Sequence, residues 1–318
     1  MFRVAGFQKF GLLFFLISIS LFFSVLSPYF LTLENLRNIL VQSSVSIIAA
    51  AGMTIVIGTA GIDLSVGSIL ALSSIILAWG MKAGLGVSSS VLLGMMAGVG
   101  MGILNGIGIA RLRISPFMIT LGTAGIFRAL ALIFTEGRPI YGLPTGFRIL
   151  GMGGLGPIPL PILFSLIVAM GMCLISVWTR FGTNARAMGS NLEGAYRMGI
   201  SVRRTLIMVY AISGLTASLA GLIVTARLNT AEAIAGLGME LEAIAAVVMG
   251  GTSFFGGETS IAGTVLGALI IGTLGNGLTL LNIPSYYQQL VIGVVFILAV
   301  LADRTRRKKM LELSSQHG

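Results

Sequence analysis

Gly58-Thr59-Ala60-Gly61-Ile62-Asp63-Leu64-Ser65-Val66-Gly67-Ser68 interrupts two apolar runs, about 43–60 and 64–81, with glycines, hydroxyls and a carboxylate. The surroundings decide how this break reads. The 318-residue chain is 56% hydrophobic and 9% charged, with a mean hydropathy of +1.01. That is more apolar surface than a soluble core of this length can bury, so the missing solvent is lipid. A carboxylate at the centre of a membrane helix costs about 2.5–3.5 kcal/mol on insertion scales, so Asp63 faces protein or water. Two uses follow from the residue types. Asp63 and Ser65 can cap a helix that begins inside the membrane, or they can line or gate a path through it.

Working outward, apolar runs bounded by glycine, proline and charge give ten candidate spans. They lie at about 10–30, 43–60, 64–81, 88–110, 116–135, 160–179, 205–226, 239–251, 261–281 and 285–302. The expectation is an all-α polytopic membrane protein, one membrane domain over residues 1–318. The third span can start inside the membrane, and the eighth is short enough to be a half-helix. The run after Arg3 and Lys9 resembles a signal peptide, but no small-residue cleavage site precedes Pro28, so it reads as the first span. Counted from a cytoplasmic N-terminus, fourteen of the 20 basic residues fall on the inner side: Arg3 and Lys9, Arg111 and Arg113, five from Arg180 to Arg204 and five from Arg304 to Lys309. This bias predicts both termini inside. The net charge of +10 is therefore a topology signal and not a nucleic-acid face.

Three short echoes recur in the same order. Gly61-Ile62-Asp63-Leu64 resembles Gly238-Met239-Glu240-Leu241, Leu104-Asn105-Gly106 resembles Gly275-Asn276-Gly277, and Ile114-Ser115-Pro116-Phe117 resembles Ile283-Pro284-Ser285-Tyr286. They pair spans two to five with seven to ten, so the repeat halves are about 43–135 and 205–302. An odd offset inverts the second copy, a plan that places a substrate path between the halves. Glu240 and Glu242 are expected to open the eighth span as Asp63 opens the third. Asn105 and Asn276, among small residues, can bond a neighbouring helix or a hydroxyl-rich ligand.

Residues 180–204 form the longest charged inner section. Asn191 can cap a short helix with Leu192, Ala195, Tyr196 and Met198 on its apolar side, ended by Gly199. Such a helix lies on lipid or docks to a partner, and its acidic residue Glu193 favours the partner. The outer section, about 136–161, reads as a structured loop that closes the path or receives a soluble binding protein. No phosphate-binding Gly-x-x-x-x-Gly-Lys-[Ser/Thr] motif surrounds Lys9, Lys82, Lys308 or Lys309. With one cysteine, Cys173, and one histidine, His317, the sequence offers neither a metal cluster nor a Ser/His/acid set. A reaction catalysed by this chain is not expected.

The blocks Gly61-Ile62-Asp63-Leu64-Ser65-Val66-Gly67-Ser68, Pro116-Phe117-Met118-Ile119-Thr120-Leu121-Gly122-Thr123, Met188-Gly189-Ser190-Asn191 and Ala245-Ala246-Val247-Val248-Met249-Gly250-Gly251-Thr252-Ser253 carry a resemblance. With them the chain resembles, over nearly its whole length, the membrane permease subunit of bacterial ATP-driven sugar importers of the ribose type. The resemblance implies that this chain spans the bacterial inner membrane with a second permease copy in a homodimer or heterodimer, served by a cytoplasmic ATP-binding subunit and an extracytoplasmic sugar-binding protein. It implies that this chain binds no cofactor and that ATP is used by the partner. Asp63, Ser65, Asn105, Phe117, Thr120, Glu240 and Asn276 are the positions expected to line or gate the path. Asn184, Arg186, Asn191, Glu193, Ala195, Arg197 and Gly199 are those expected to couple to the ATPase. Two departures stand out: Gly194 where an alanine is usual, and the glycine- and proline-rich stretch 141–159. Permeases for nucleosides or branched-chain amino acids share this architecture, and a self-sufficient channel or ion-coupled carrier is the rival of a different class.

Overall fold

The computed structural model describes residues 2–315, with side chains described over 10–305; His317 lies outside the described residues. Among the described residues, thirteen helices are joined by short connections and two small strand pairs. Seven helices are long and apolar enough to cross a membrane: α2 Leu33–Gly58, α4 Val87–Leu112, α5 Pro116–Thr135, α7 Leu160–Trp178, α10 Val202–Leu228, α12 Ile261–Leu280 and Ser285–Thr305 within α13 Ser285–Ser315. Two shorter apolar helices accompany them, Phe10–Leu26 within α1 Phe2–Leu26 and α3 Val66–Lys82. The eleven-residue α11, Met239–Met249, completes the ten expected segments.

Several boundaries differ from expectation for local reasons. The first helix stops at Leu26, before Pro28, which cannot continue the hydrogen-bond ladder. The second starts ten residues earlier than its apolar run. The Thr32 side chain accepts from the Asn35 N–H, and Glu34 sits in the positive first turn, so a polar turn is added ahead of the apolar part. The section expected to lie outside, about 136–161, holds a helix, α6 Thr145–Met152, and the hairpin of β2 Gly154–Leu155 with β3 Ile158–Pro159. Its β1, Ile140–Tyr141, pairs antiparallel with β4, Thr230–Ala231, tying the section to the connection after α10. The charged section is two helices, α8 Arg180–Ser190 and α9 Leu192–Arg197, and residues 202–204 already belong to α10.

The packing has an internal symmetry. α10 lies along α4 as α2 lies along α12; α3 packs on α4 and α5 as α11 packs on α12 and α13; α10 touches α3 as α2 touches α11. Exchanging α2 with α10, α3 with α11, α4 with α12 and α5 with α13 leaves this set of contacts unchanged. α2 and α10 cross at the centre and run antiparallel, with Gly52 against Ser213 and Thr216 and Gly61 against Tyr210. An inverted copy requires that opposition. Small residues let the backbones approach: a Cβ on Gly102 would stand 2.1 Å from the Tyr210 carbonyl oxygen, and one on Gly267 would stand 2.2 Å from that of Ala246. One contiguous apolar core runs through α2, α3, α10 and α11. The outward faces of α5 and α7 keep large apolar side chains such as Met118, Ile133 and Ile167 exposed, as a lipid-facing surface does.

Candidate functional site

The break between α2 and α3 is closed by a buried polar network. Asp63 is completely buried. Its Oδ1 accepts from the Ser65 N–H at 3.0 Å and the Ser65 hydroxyl at 2.6 Å, and its Oδ2 accepts from the Ser213 hydroxyl at 2.8 Å. The Ser65 Oγ in turn accepts from Asn105 Nδ2 at 2.7 Å. Beside it, the Ile62 carbonyl accepts from the Tyr210 hydroxyl at 3.3 Å and the Thr120 hydroxyl at 3.2 Å. Three helices, α4, α5 and α10, are thereby fastened to the seven-residue gap that leads into α3. Ser65 precedes α3 but its side chain makes no cap bond; the expected cap is replaced by a tight turn in which Asp63 takes the free donors. Ser213 lies about 16 Å along α10 from Val202 at about 1.5 Å per residue, so the network sits near the middle of a span about 30 Å deep.

A second break, 229–238, enters from the opposite end. Arg128 of α5 holds it, with Nη1 donating to the carbonyls of Ala233 and Ala235. Gly236 then meets Gly67, where a Cβ would stand 2.1 Å from the Gly236 oxygen. α3 and α11 are thus half-helices whose N-termini face each other at mid-depth. Gly238, in the left-handed region at φ 83°, precedes α11, while Glu240 and Glu242 lie within its first turn. They therefore do not open α11 as Asp63 opens α3. Glu242 Oε2 accepts from Ser46 of α2 at 3.4 Å, and Glu240 is within electrostatic reach of Arg128. Unlike Asp63, these three charges are only half-buried. Lipid contact would cost each about 2.5–3.5 kcal/mol at mid-bilayer, so their open side belongs to water or to protein.

The remaining positions separate. Asn276 makes a reciprocal pair with Asn35, at 2.9 and 3.0 Å, and is not bonded to the network that holds Asn105. Phe117 is exposed at the start of α5. In the charged section, Arg186 Nη1 donates to the Ser176 carbonyl, fixing α8 to the end of α7, and Asn184 is half-buried on the same helix. Asn191 caps α9 by accepting from the Gly194 N–H at 2.9 Å, Ala195 is fully buried, and Gly199 turns the chain at φ 79°. Arg197 pairs with Glu193 at 2.5 Å on the outside of α9. Leu192, Tyr196 and Met198 stay exposed, so the expected apolar side of α9 faces away from the bundle except at Ala195.

α8 ends on a backbone junction. Gly257 N–H donates to the Gly58 carbonyl at 3.0 Å, and Gly189 packs onto both. The segment 250–260 that carries Gly257 is tied further by Thr259 to Ser176 at 2.8 Å and by the Phe254 N–H to Asp303 at 3.0 Å. Asp303, Tyr210, Ser213 and Arg128 were not singled out by the sequence, because each gains its role from a partner distant in the chain. Among the described residues, no three His, Cys, Asp or Glu side chains are grouped to hold a metal ion.

Residues 35–300 match the model of the family described as branched-chain amino acid transport system / permease component. The chain is 43% identical over 301 residues to the ribose import permease protein RbsC of Bacillus subtilis (strain 168), covering 94% of each. It is 43% identical over 299 residues to the D-allose transport system permease protein AlsC of Escherichia coli (strain K12), covering 93% of this chain and 92% of that one. At 33% identity it also matches the autoinducer 2 import system permease protein LsrC of Yersinia enterocolitica, over 88% of this chain and 78% of the relative.

Proposed function

Because the chain belongs to the branched-chain amino acid transport system / permease component family, we propose that it is the multi-pass permease subunit of an ATP-binding-cassette importer that carries a monosaccharide across a bacterial inner membrane. The observation that carries this is the 43% identity, over nearly the full length, to permeases whose names specify ribose import and D-allose transport. The site adds a physical reason to prefer a neutral sugar to an amino acid. Half-helix N-termini attract anions, yet at the Gly67–Gly236 meeting point that potential is already answered by Asp63, Glu240 and Glu242. A substrate carboxylate would meet like charge there.

The permease acts with chains it does not contain. α9 presents Leu192, Tyr196 and Met198 around the Glu193–Arg197 pair, an apolar patch with a charged rim suited to a groove on a cytoplasmic ATP-binding subunit. ATP is bound and hydrolysed in that subunit, and this chain binds no cofactor. Both termini then lie in the cytoplasm, and the opposite end, with α6 and the β1–β4 pair, receives an extracytoplasmic sugar-binding protein. A second permease copy covers the open side of α5 and α11, so that the path runs between two chains.

Reconstitution tests the reading. In liposomes the chain, its ATPase and a sugar-loaded binding protein are expected to give uptake that stops without ATP. Sugar flux through the chain alone would instead establish a channel or carrier. Tyr196→Asp is expected to lower co-purification of the ATPase about tenfold, the scale of one well-buried interface aromatic, with membrane insertion unchanged. Normal co-purification would remove α9 from the interface.

A further inference from the structure

The three half-buried charges near Gly67 and Gly236 have an arrangement that helix packing does not require. Arg128 lies about 18 Å along α5 from Pro116 and about 11 Å from Thr135 at about 1.5 Å per residue, deep within the span. Only its Nη1 is hydrogen-bonded, to the carbonyls of Ala233 and Ala235, leaving Nη2 and Nε without a partner among the described residues. No Arg128 nitrogen comes within 4.0 Å of Glu240 or Glu242. Opposite charges at this depth ordinarily close into a direct pair, since the low dielectric strengthens their attraction. Here the backbone keeps them apart. Arg128 is anchored to the 229–238 segment, Glu242 takes the Ser46 hydroxyl, and Gly67 leaves room for Glu240, whose Oε2 would stand 2.9 Å from a Cβ there.

Resting on the importer reading above, we infer that Arg128, Glu240 and Glu242 form a weak binding station for a neutral, hydroxyl-rich ligand halfway along the path. The chemistry fits an uncharged polyol. Each hydroxyl both donates and accepts, so two neighbouring hydroxyls bridge a guanidinium donor and a carboxylate acceptor without adding charge to the span. Apolar ligands leave the remaining donors and acceptors of these groups unmatched, and anions meet two carboxylates. The station rejects both by the cost of buried groups left unsatisfied.

The test uses the complete transporter in proteoliposomes, with uptake of D-ribose, D-allose and 2-deoxy-D-ribose measured against concentration alongside ATP hydrolysis. Glu240→Gln keeps the shape and removes the charged acceptor. It is expected to lower the maximal uptake of the best-transported fully hydroxylated sugar about tenfold, the loss of one charged hydrogen bond to a hydroxyl. The 2-deoxy sugar should lose less, and ATP hydrolysis stimulated by the binding protein should stay within about twofold. Arg128→Lys, which keeps the charge and loses the fork, should narrow the same discrimination. Wild-type uptake ratios in Glu240→Gln and Glu242→Gln overturn the station, as does an equal loss for every sugar accompanied by lost ATPase stimulation, which marks a structural role. If the unaltered transporter moves none of the sugars with ATP, the importer reading itself falls, and the station with it.

Discussion

Asp63→Ala is expected to destabilise the chain by about 3 kcal/mol or more and to abolish uptake. The carboxylate is completely buried and accepts three hydrogen bonds, and each buried donor left without an acceptor costs about 1–3 kcal/mol. The Ser65 hydroxyl, released from Asp63, also ceases to be a fixed acceptor for Asn105, so the loss spreads from α3 to α4 and α10. Thermal unfolding in detergent reads the effect directly. Asp63→Asn separates charge from geometry: its Oδ1 still accepts from Ser65, and the Ser213 hydroxyl can turn to accept from the new amide. That variant should recover most of the stability. An alanine variant that melts with the wild type would mean that the gap is held by apolar packing alone.

The sequence announced this gap because polar and glycine residues interrupt two apolar runs, and that contrast survives without any knowledge of partners. It also exposed α11 as too short to span and Asn191 as a cap, both local properties. The partners were less legible. Ser213 and Tyr210 sit in an ordinary small-residue helix and acquire meaning only when α10 crosses α2. Asp303 sits beside a basic tail and reads as part of it, yet it is buried and bonded to Phe254 and Ser253. The start of α2 was hidden for another reason. Glu34, Arg37, Asn38 and Gln42 break the apolar run but not the helix, and Asn35 pays for its burial by pairing with Asn276. The echo of Asn105 in Asn276 thus joins positions that make different bonds: a repeat in sequence does not guarantee a repeat in chemistry.

Gly189→Ala is expected to reduce uptake by at least about tenfold with little loss of folded protein. α8 carries α9 on one side and rests on the end of α2 on the other, so the last turn of α8 joins the proposed ATPase surface to the segment leading to Asp63. The added methyl would stand 2.0 Å from the Gly58 carbonyl oxygen and 2.6 Å from the Gly257 nitrogen. Both are backbone atoms, so no side chain can turn aside, and Gly257 is itself held in the left-handed region at φ 87°. The strain is relieved only by lifting α8 or by breaking the Gly257–Gly58 hydrogen bond. Either loosens the contact through which a push on α9 reaches the α2–α3 gap. Alanine favours helix, so α8 itself should persist, and the melting temperature should fall by only a few degrees. ATP hydrolysis should then no longer respond to the sugar-loaded binding protein, whereas Gly146→Ala in α6, where a Cβ meets nothing within 4 Å, should behave as wild type. Normal uptake and normal ATPase stimulation in Gly189→Ala would show that motion passes from α9 to the bundle by another route, such as Arg186 on the end of α7 or the contacts of α8 and α9 with α10.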